Sequence, residues 1–338
     1  MKRIAIFADG TWCSPERGEA TNVLLMARGV KPTANGIDQI AFYDWGIGTD
    51  GKTISGGLSG DGINKNIMDC YRFIVHNYEI GDELYFFGFS RGAYTVRSLA
   101  GFIRNCGILH SQYAAKIPEA FKLYRKRTKA THPHGETAVA FRKNYAVADT
   151  SPIHFIGVLD TVGALGIPVP FWGTLAEEEY LFHDTEPSSI IEHARHAVSI
   201  DEDRVDFKPT LWDAKATVDL QEVWFAGTHS DVGGGYKQHD LSDCANQWML
   251  KEATTFGLEF EDHLLDALHP NPEGKLHLAR KGIFRARGKH VRDITGPIHV
   301  SVKERWLADS QSYQKKSKSL QNLLAANDND WSKIQVVT

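Results

Sequence analysis

Ser90 stands in Gly88-Phe89-Ser90-Arg91-Gly92, the G-x-S-x-G spacing in which a serine hydroxyl can act as an acyl-transfer nucleophile. Its setting gives the pattern weight. Leu84 to Phe87 is a fully apolar run bounded by Asp82-Glu83 and Gly88, the outline of a buried strand, and Ala93 to Arg104 reads as a helix. A serine on so sharp a strand-to-helix turn leaves no room for side chains two positions before and after it, which accounts for both glycines. The helix aims its first amides back at the turn, so the N–H of Arg91 is a natural donor to a developing oxyanion. A glycine turn with an inert serine is the plainer reading of the same five residues.

A serine hydroxyl is a weak nucleophile without a base and a group that orients the base. On strand-turn-helix scaffolds of this kind these follow the serine in the order acid, then histidine. The run Ile153 to Leu159 ends at Asp160-Thr161-Val162-Gly163, which puts a carboxylate at the C-terminal edge of a strand, where open α/β sheets gather their ligands. Asp160 is the candidate acid; otherwise it is a turn aspartate. The run ending at Phe225 leads into Gly227-Thr228-His229-Ser230-Asp231-Val232-Gly233-Gly234-Gly235-Tyr236. His229, one of 15 histidines, is the candidate base, on a loop whose glycines permit the backbone to carry it sideways to the serine. Asp9-Gly10-Thr11 has the D-G-T of haloacid-dehalogenase phosphatases, but the position of their nucleophilic aspartate is Phe7, which forms no aspartyl phosphate. Gly10 and Thr11 are better placed to give the oxyanion hole a second amide.

These residues need a sheet to hold them. Ile4 to Ala8, Leu84 to Phe87, Ile153 to Leu159, Ala194 to Ile200 and Glu222 to Phe225 read as strands. Gly46 to Gly62 is loop; Ile63, Ile67, Tyr71, Ile74 and Tyr78 mark one face of a helix, and another helix runs from Ser242 to about Phe256, capped by Ser242 or Asp243. The expected fold class is α/β: a mostly parallel sheet flanked by helices. One catalytic domain would cover residues 1–305, with a basic helical insertion at about 106–150, and residues 306–338 would form a C-terminal extension or loosely held tail.

The 338 residues carry a formal net charge of −4, a balance that implies no nucleic-acid partner. No apolar run approaches the roughly 18 to 20 residues of a membrane span, and the short run after Met1-Lys2-Arg3 is a strand, not a signal peptide. Cys13, Cys70, Cys106 and Cys244 form no C-x-x-C, so a reducing cytoplasm in the producing cell is expected, with export by a signal-peptide-independent route left open. Glu192, His193 and His196 sit at the edge of a strand and are read as structural polarity; no metal and no cofactor is expected. Gly60-Asp61-Gly62 is a plain glycine loop. Lys122, Arg125, Lys126, Arg127 and Lys129 are a solvated helix face or, on a sharper reading, a transient contact with anionic headgroups at a membrane surface.

Phe7-Ala8-Asp9-Gly10-Thr11-Trp12, Thr21-Asn22-Val23, Gly46-Ile47-Gly48-Thr49, Gly88 to Tyr94, Gly157 to Val162, His229 to Tyr236 and Ile298 to Val302 carry a specific resemblance. Over roughly residues 4 to 305, the sequence resembles the α/β-hydrolase domain of the type VI secretion lipase effectors, family 1, and its uncharacterised stand-alone relatives. The resemblance implies an α/β-hydrolase fold, Ser90 as nucleophile, Asp160 as acid, His229 as base, and hydrolysis of esters that include phospholipid acyl esters. Cys13 replaces an expected asparagine, and no large appended membrane-binding region is seen. The expected function is therefore a serine ester hydrolase acting on acyl esters of lipids, with a small-molecule carboxylesterase or a non-catalytic binding module as alternatives. Leu165, Ile167, Val169, Phe171 and Trp172 after the acid would either line an acyl groove or pack on the core.

Overall fold

A computed structural model describes residues 1–10, 18–46, 60–126, 128–162, 186–280, 282–286, 288–308 and 312–338. Thr11, Cys13 and the apolar run from Leu165 to Trp172 lie outside them. The strands are β1 (Arg3–Ala8), β2 (Thr33–Ala34), β3 (Ile37–Asp44), β4 (Glu83–Phe89), β5 (Ile153–Leu159), β6 (Ile191–Ser199), β7 (Asp219–Phe225), β8 (Ile298–His299) and β9 (Val336–Val337). They join in one sheet ordered β2-β3-β1-β4-β5-β6-β7-β8-β9. Every pairing is parallel except β2 with β3. The expected class, a mostly parallel sheet flanked by helices, is what the chain adopts.

Alternation along the central strands decides which helix covers which face. Ile4, Ile6, Leu84, Phe86, Ile156 and Val158 form one buried cluster with Ile67, Tyr71 and Ile74 of α2 (Gly60–Asn77) and Leu99 and Phe102 of α3 (Arg91–Cys106). Ala5, Phe7, Tyr85, Phe87 and Leu159 point the other way, onto Val23 and Met26 of α1 (Asn22–Gly29) and Trp248 and Met249 of α7 (Asp240–Thr255). Both faces are thus dry, which explains why these strands read as unbroken apolar runs. Burying a Phe or Leu here is worth about 1.5–3 kcal/mol, so the central strands form a rigid base for the loops at their ends. Phe7 stacks on Phe87 at 4.9 Å, in the core, where no phosphatase nucleophile could work.

Within the basic stretch that follows α3, α4 (Ile117–Arg125) and α5 (Glu136–Tyr145) lie over α3. Phe121 meets Phe102 edge to face, and the buried Arg142 guanidinium donates to the carbonyl of Asn105 at the end of α3. Lys122, Lys126 and Lys129 remain exposed.

Three expectations need correction. Gly60-Asp61-Gly62 is not loop but the start of α2, which runs from Gly60 to Asn77. α7 begins at Asp240, not at Ser242 or Asp243, because those two side chains are buried and engaged elsewhere: the Ser242 hydroxyl donates to the His239 carbonyl, and the Asp243 carboxylate meets His239 and the His269 amide. Nor is the C-terminal stretch loosely held. After α9 (Val300–Ala308) and α10 (Tyr313–Lys316), α11 (Lys318–Ala326) buries Leu320 and Leu324 beside Val198, Trp224 and Ile298. β9 then extends the sheet, Val336 opposite Ile298. Tyr313 and Ser317 donate their hydroxyl hydrogens to buried Asp201.

Candidate active site

The site is assembled at the C-terminal edge of the parallel sheet from the ends of β4, β5 and β7. β4 stops at Phe89, and Ser90 takes φ 57° and ψ −119°, a conformation costly for a residue with a side chain. The glycines around it are obligatory. A β-carbon on Gly88 would stand 2.5 Å from the Gly92 carbonyl oxygen, and one on Gly92 would sink into the backbone of Ala8 at the end of β1. The turn is therefore wedged between strand and helix, and Ser90, almost buried, is held at the head of α3 with Arg91 as the helix's first residue. The amides of a helix's first turn have no partner within the helix, so they present positive potential at this point.

Asp160 immediately follows β5, also with a positive φ of 38°, and is wholly buried. Its Oδ1 accepts from the Ser199 amide at 2.9 Å and from Arg292 Nη1 at 2.6 Å; its Oδ2 accepts from Arg292 Nη2 at 3.2 Å and lies 2.6 Å from His229 Nδ1. Burial alone would raise its pKa, but the Arg292 guanidinium and the His229 hydrogen bond outweigh it and hold the carboxyl well below the usual range. Asp160 is thus held as the anion. Arg292 has no counterpart in the sequence reading. It sits in irregular chain 132 positions away, is also fully buried, and donates further to the carbonyl of Ser199 and its hydroxyl oxygen.

His229 opens the short helix α6 (His229–Gly233), capped by Thr228 and Asp231, which bond each other's backbone. Its ring lies between Phe89, at 4.6 Å, and Phe207, at 5.1 Å. Phe89 is the residue before Ser90, so the loop is fastened to the elbow itself. Gly233 makes that approach feasible, since any β-carbon there would enter the Phe89 ring. The His229 amide donates to buried Glu202 at 3.2 Å. Burial lowers the imidazole pKa from its ordinary value, opposed by Asp160, so the resting ring is neutral near pH 7, with Nδ1–H donating to Asp160 and Nε2 left to accept a proton.

Of the expected oxyanion donors, Arg91 is at the helix head as read. The amide of Gly10 is engaged, donating to Asp9 Oδ1 at 2.7 Å. In this conformation that amide is therefore occupied by Asp9, which also accepts from the hydroxyls of Thr21 and Tyr43; Thr11 lies outside the described residues. His196 is buried against Glu222 and accepts from the Thr161 amide, steadying the loop behind Asp160. His193 is separate from it and faces His154.

Residues 2–252 match the family model described as T6SS, Phospholipase effector Tle1-like, catalytic domain. The chain belongs to this family. Among curated proteins it is 29% identical over 228 residues to the uncharacterized protein YEL023C of Saccharomyces cerevisiae, covering 61% of this chain and 32% of that protein. Among solved structures it is similar to an uncharacterized protein from Pseudomonas aeruginosa, with TM-score 0.48, 16% identity, and 80% of this chain and 48% of that one covered. The Tle1 effector bound to the VgrG spike from the Type 6 secretion system is a further match, with TM-score 0.40, 20% identity, and 70% and 52% covered. The chain spans about a third of the curated relative and about half of each solved chain.

Proposed function

We propose that this Tle1-like domain is a serine ester hydrolase acting on acyl esters of lipids, with Ser90 as nucleophile, His229 as base and Asp160 as acid. The observation that carries the reading is the buried 2.6 Å contact between Asp160 and His229, on a loop packed against the residue that precedes the strained Ser90. In the first step His229 Nε2 takes the Ser90 proton as Oγ attacks the ester carbonyl. The anion of Asp160 stabilises the imidazolium, and the first-turn amides of α3, Arg91 foremost, receive the oxyanion. Collapse expels the alcohol, protonated by His229. Water, deprotonated by the same ring, then frees the acid and restores Ser90.

A carboxylic acyl centre suits a serine with oxyanion donors, and the family's phospholipase character favours a lipid ester over a small one. The test pairs a fluorophosphonate probe with mixed phospholipid vesicles and a series of soluble esters of increasing acyl length. Labelling at Ser90, fatty acid released from vesicles and rates rising with chain length are expected. Labelling with rates that peak at acetyl and no released fatty acid would leave a small-ester hydrolase. An unlabelled Ser90 would leave a binding module on a hydrolase fold.

A further inference from the structure

The opposite edge of the sheet holds a second cluster of chemistry-bearing side chains that the ester reading does not use. We propose that His154, Glu192 and His193 form a binding site for a divalent cation of the zinc class, tying β5 to β6. One ligand atom from each of the three lies within 4.8 Å of the others. The residues sit at the N-terminal ends of two adjacent parallel strands, where Phe155 pairs with His193, so the site rests on sheet and not on mobile loop.

Both ring nitrogens of His154 face acceptors. Its Nε2 lies 3.1 Å from the carbonyl oxygen of Phe256, and its Nδ1 lies 2.7 Å from Glu192 Oε2. Both neighbours are acceptors, while a neutral imidazole carries one N–H. With that hydrogen given to the Phe256 carbonyl, which can only accept, Nδ1 turns a lone pair toward a carboxylate oxygen. A cation seated between that lone pair and the carboxylate satisfies both. His193 is arranged to complete the site: Nδ1 is 2.9 Å from Asp219 Oδ2, so Nδ1–H is held by a carboxylate and Nε2 is left as the donor to a metal. Histidine ligands of zinc are commonly oriented in this way through their second nitrogen, by a carboxylate or a backbone carbonyl. Here one histidine has each.

The rings are already immobilised. His193 stacks on Phe256 at 3.7 Å, and His154 meets Tyr85 edge to face at 5.4 Å. The site lies among the carboxylates of Glu192 and Asp219, and the Arg195 guanidinium is shared between Asp219 and Glu252. The side chains of His154, Glu192 and His193 are 26%, 47% and 26% exposed, enough for an ion to enter and keep water as a further ligand. Ligands of tetrahedral zinc stand about 3.4 Å apart for bonds of about 2.1 Å, so small rotations close the set. Two nitrogens and a carboxylate suit zinc, with copper and nickel as competitors and magnesium or calcium disfavoured. The site is a full strand length from Asp160, so the ion would brace the sheet and take no part in acyl chemistry.

The experiment is titration of the metal-stripped full chain with Zn2+ by calorimetry and with Co2+ by visible absorption, alongside thermal unfolding. One equivalent bound, a tetrahedral-type cobalt spectrum displaced by Zn2+, and a zinc-dependent rise in Tm are expected. Glu192→Gln, which keeps size and fold, and the double variant His154→Ala/His193→Ala should each lose the binding and the Tm rise. Asp219→Asn should weaken binding by about 10- to 100-fold. Failure of the wild type to take up either ion, or undiminished binding by the double variant, would overturn the proposal and leave His154 and Glu192 as a hydrogen-bonded pair. Fluorophosphonate labelling of Ser90 should be the same with and without zinc, so neither outcome touches the ester reading.

Discussion

β5 carries a chemically active residue at each end, and the two ends are built on different principles. At its C-terminal end Asp160 is wholly buried, charged, and saturated by an arginine, a histidine and a backbone amide. At its N-terminal end His154 is partly exposed and shares its nitrogens between a carbonyl and a carboxylate. Taking an ion out of water costs several kcal/mol unless partners replace the solvent, so a buried carboxylate with three partners is a permanent electrostatic fixture. A half-exposed cluster has no such debt and can exchange its positive partner with solution. Burial thus separates a group that orients from a group that binds.

The sharpest break in that comparison is at the nucleophile. Ser90→Ala should lower ester turnover by about 10^4- to 10^6-fold with Tm unchanged or slightly raised, because the strained φ of 57° is no worse for alanine. Full turnover in a pure sample would remove Ser90 from the mechanism. Asp160→Asn should come next, with a loss of about 10^4-fold in kcat and of about 3–5 kcal/mol in stability, since Arg292 is left as an unbalanced buried charge. The equivalent blow at the other end of the strand, His154→Ala, should change neither kcat nor metal-free stability by more than about 1 kcal/mol. Chemical denaturation and initial rates on the three variants decide this. The pH dependence follows the same logic. With its pKa held below the ordinary value, Asp160 contributes stability that is fully present above about pH 4, its unfolded value, and lost as pH falls toward the folded one. The asparagine variant should lack that component of acid unfolding.

Arg292 sharpens the contrast further. Its charge holds Asp160 ionised and offsets the field of that carboxylate at His229, whose pKa burial already lowers. Wild-type kcat/KM should therefore rise with pH to a midpoint below the ordinary histidine value of about 6.5 and stay flat above it. Arg292→Met removes the cation, favours the imidazolium, and should move that midpoint upward while lowering the maximal rate only about tenfold. A purely structural role for Arg292 would lower stability and leave the midpoint where it was.

Which of these residues were legible in the sequence follows from how far their signals reach. Ser90 announces itself because strand, turn and helix are contiguous and the steric need for Gly88 and Gly92 is local. Asp160 and His229 are visible as polar residues directly after apolar runs. Arg292 and His154 leave no trace, since each matters through a partner 132 or 38 positions away and no local pattern encodes such pairings. The two histidines that follow Glu192, His193 and His196, are divided by the fold: one faces His154 and the other is buried against Glu222. The C-terminal helix was obscured by composition. Leu320 and Leu324 keep helical spacing, but lysine, serine and glutamine around them dilute the apolar stripe that packing reveals.

The smallest expected effect concerns the rival base. His299 lies on β8 in another stretch that carries the family resemblance. Its surroundings differ from those of His229. The His299 ring stacks on Phe225 at 4.7 Å and its Nδ1 lies 2.8 Å from the Ser301 hydroxyl, so it meets an aromatic face and a hydroxyl where His229 meets a buried carboxylate. Burial, with Lys251 adding to it, lowers its pKa to about 4. Such a ring is neutral at pH 7 but a poor proton acceptor. His299→Phe keeps the stack and should leave kcat/KM within about threefold of wild type, under 1 kcal/mol in the barrier. His229→Phe should be as inactive as Ser90→Ala, because residues that act as a unit fail as a unit. The wild-type pH profile offers an independent check. If its acidic limb fell near pH 4 and vanished in His299→Phe, while His229→Phe retained turnover, the base would be His299.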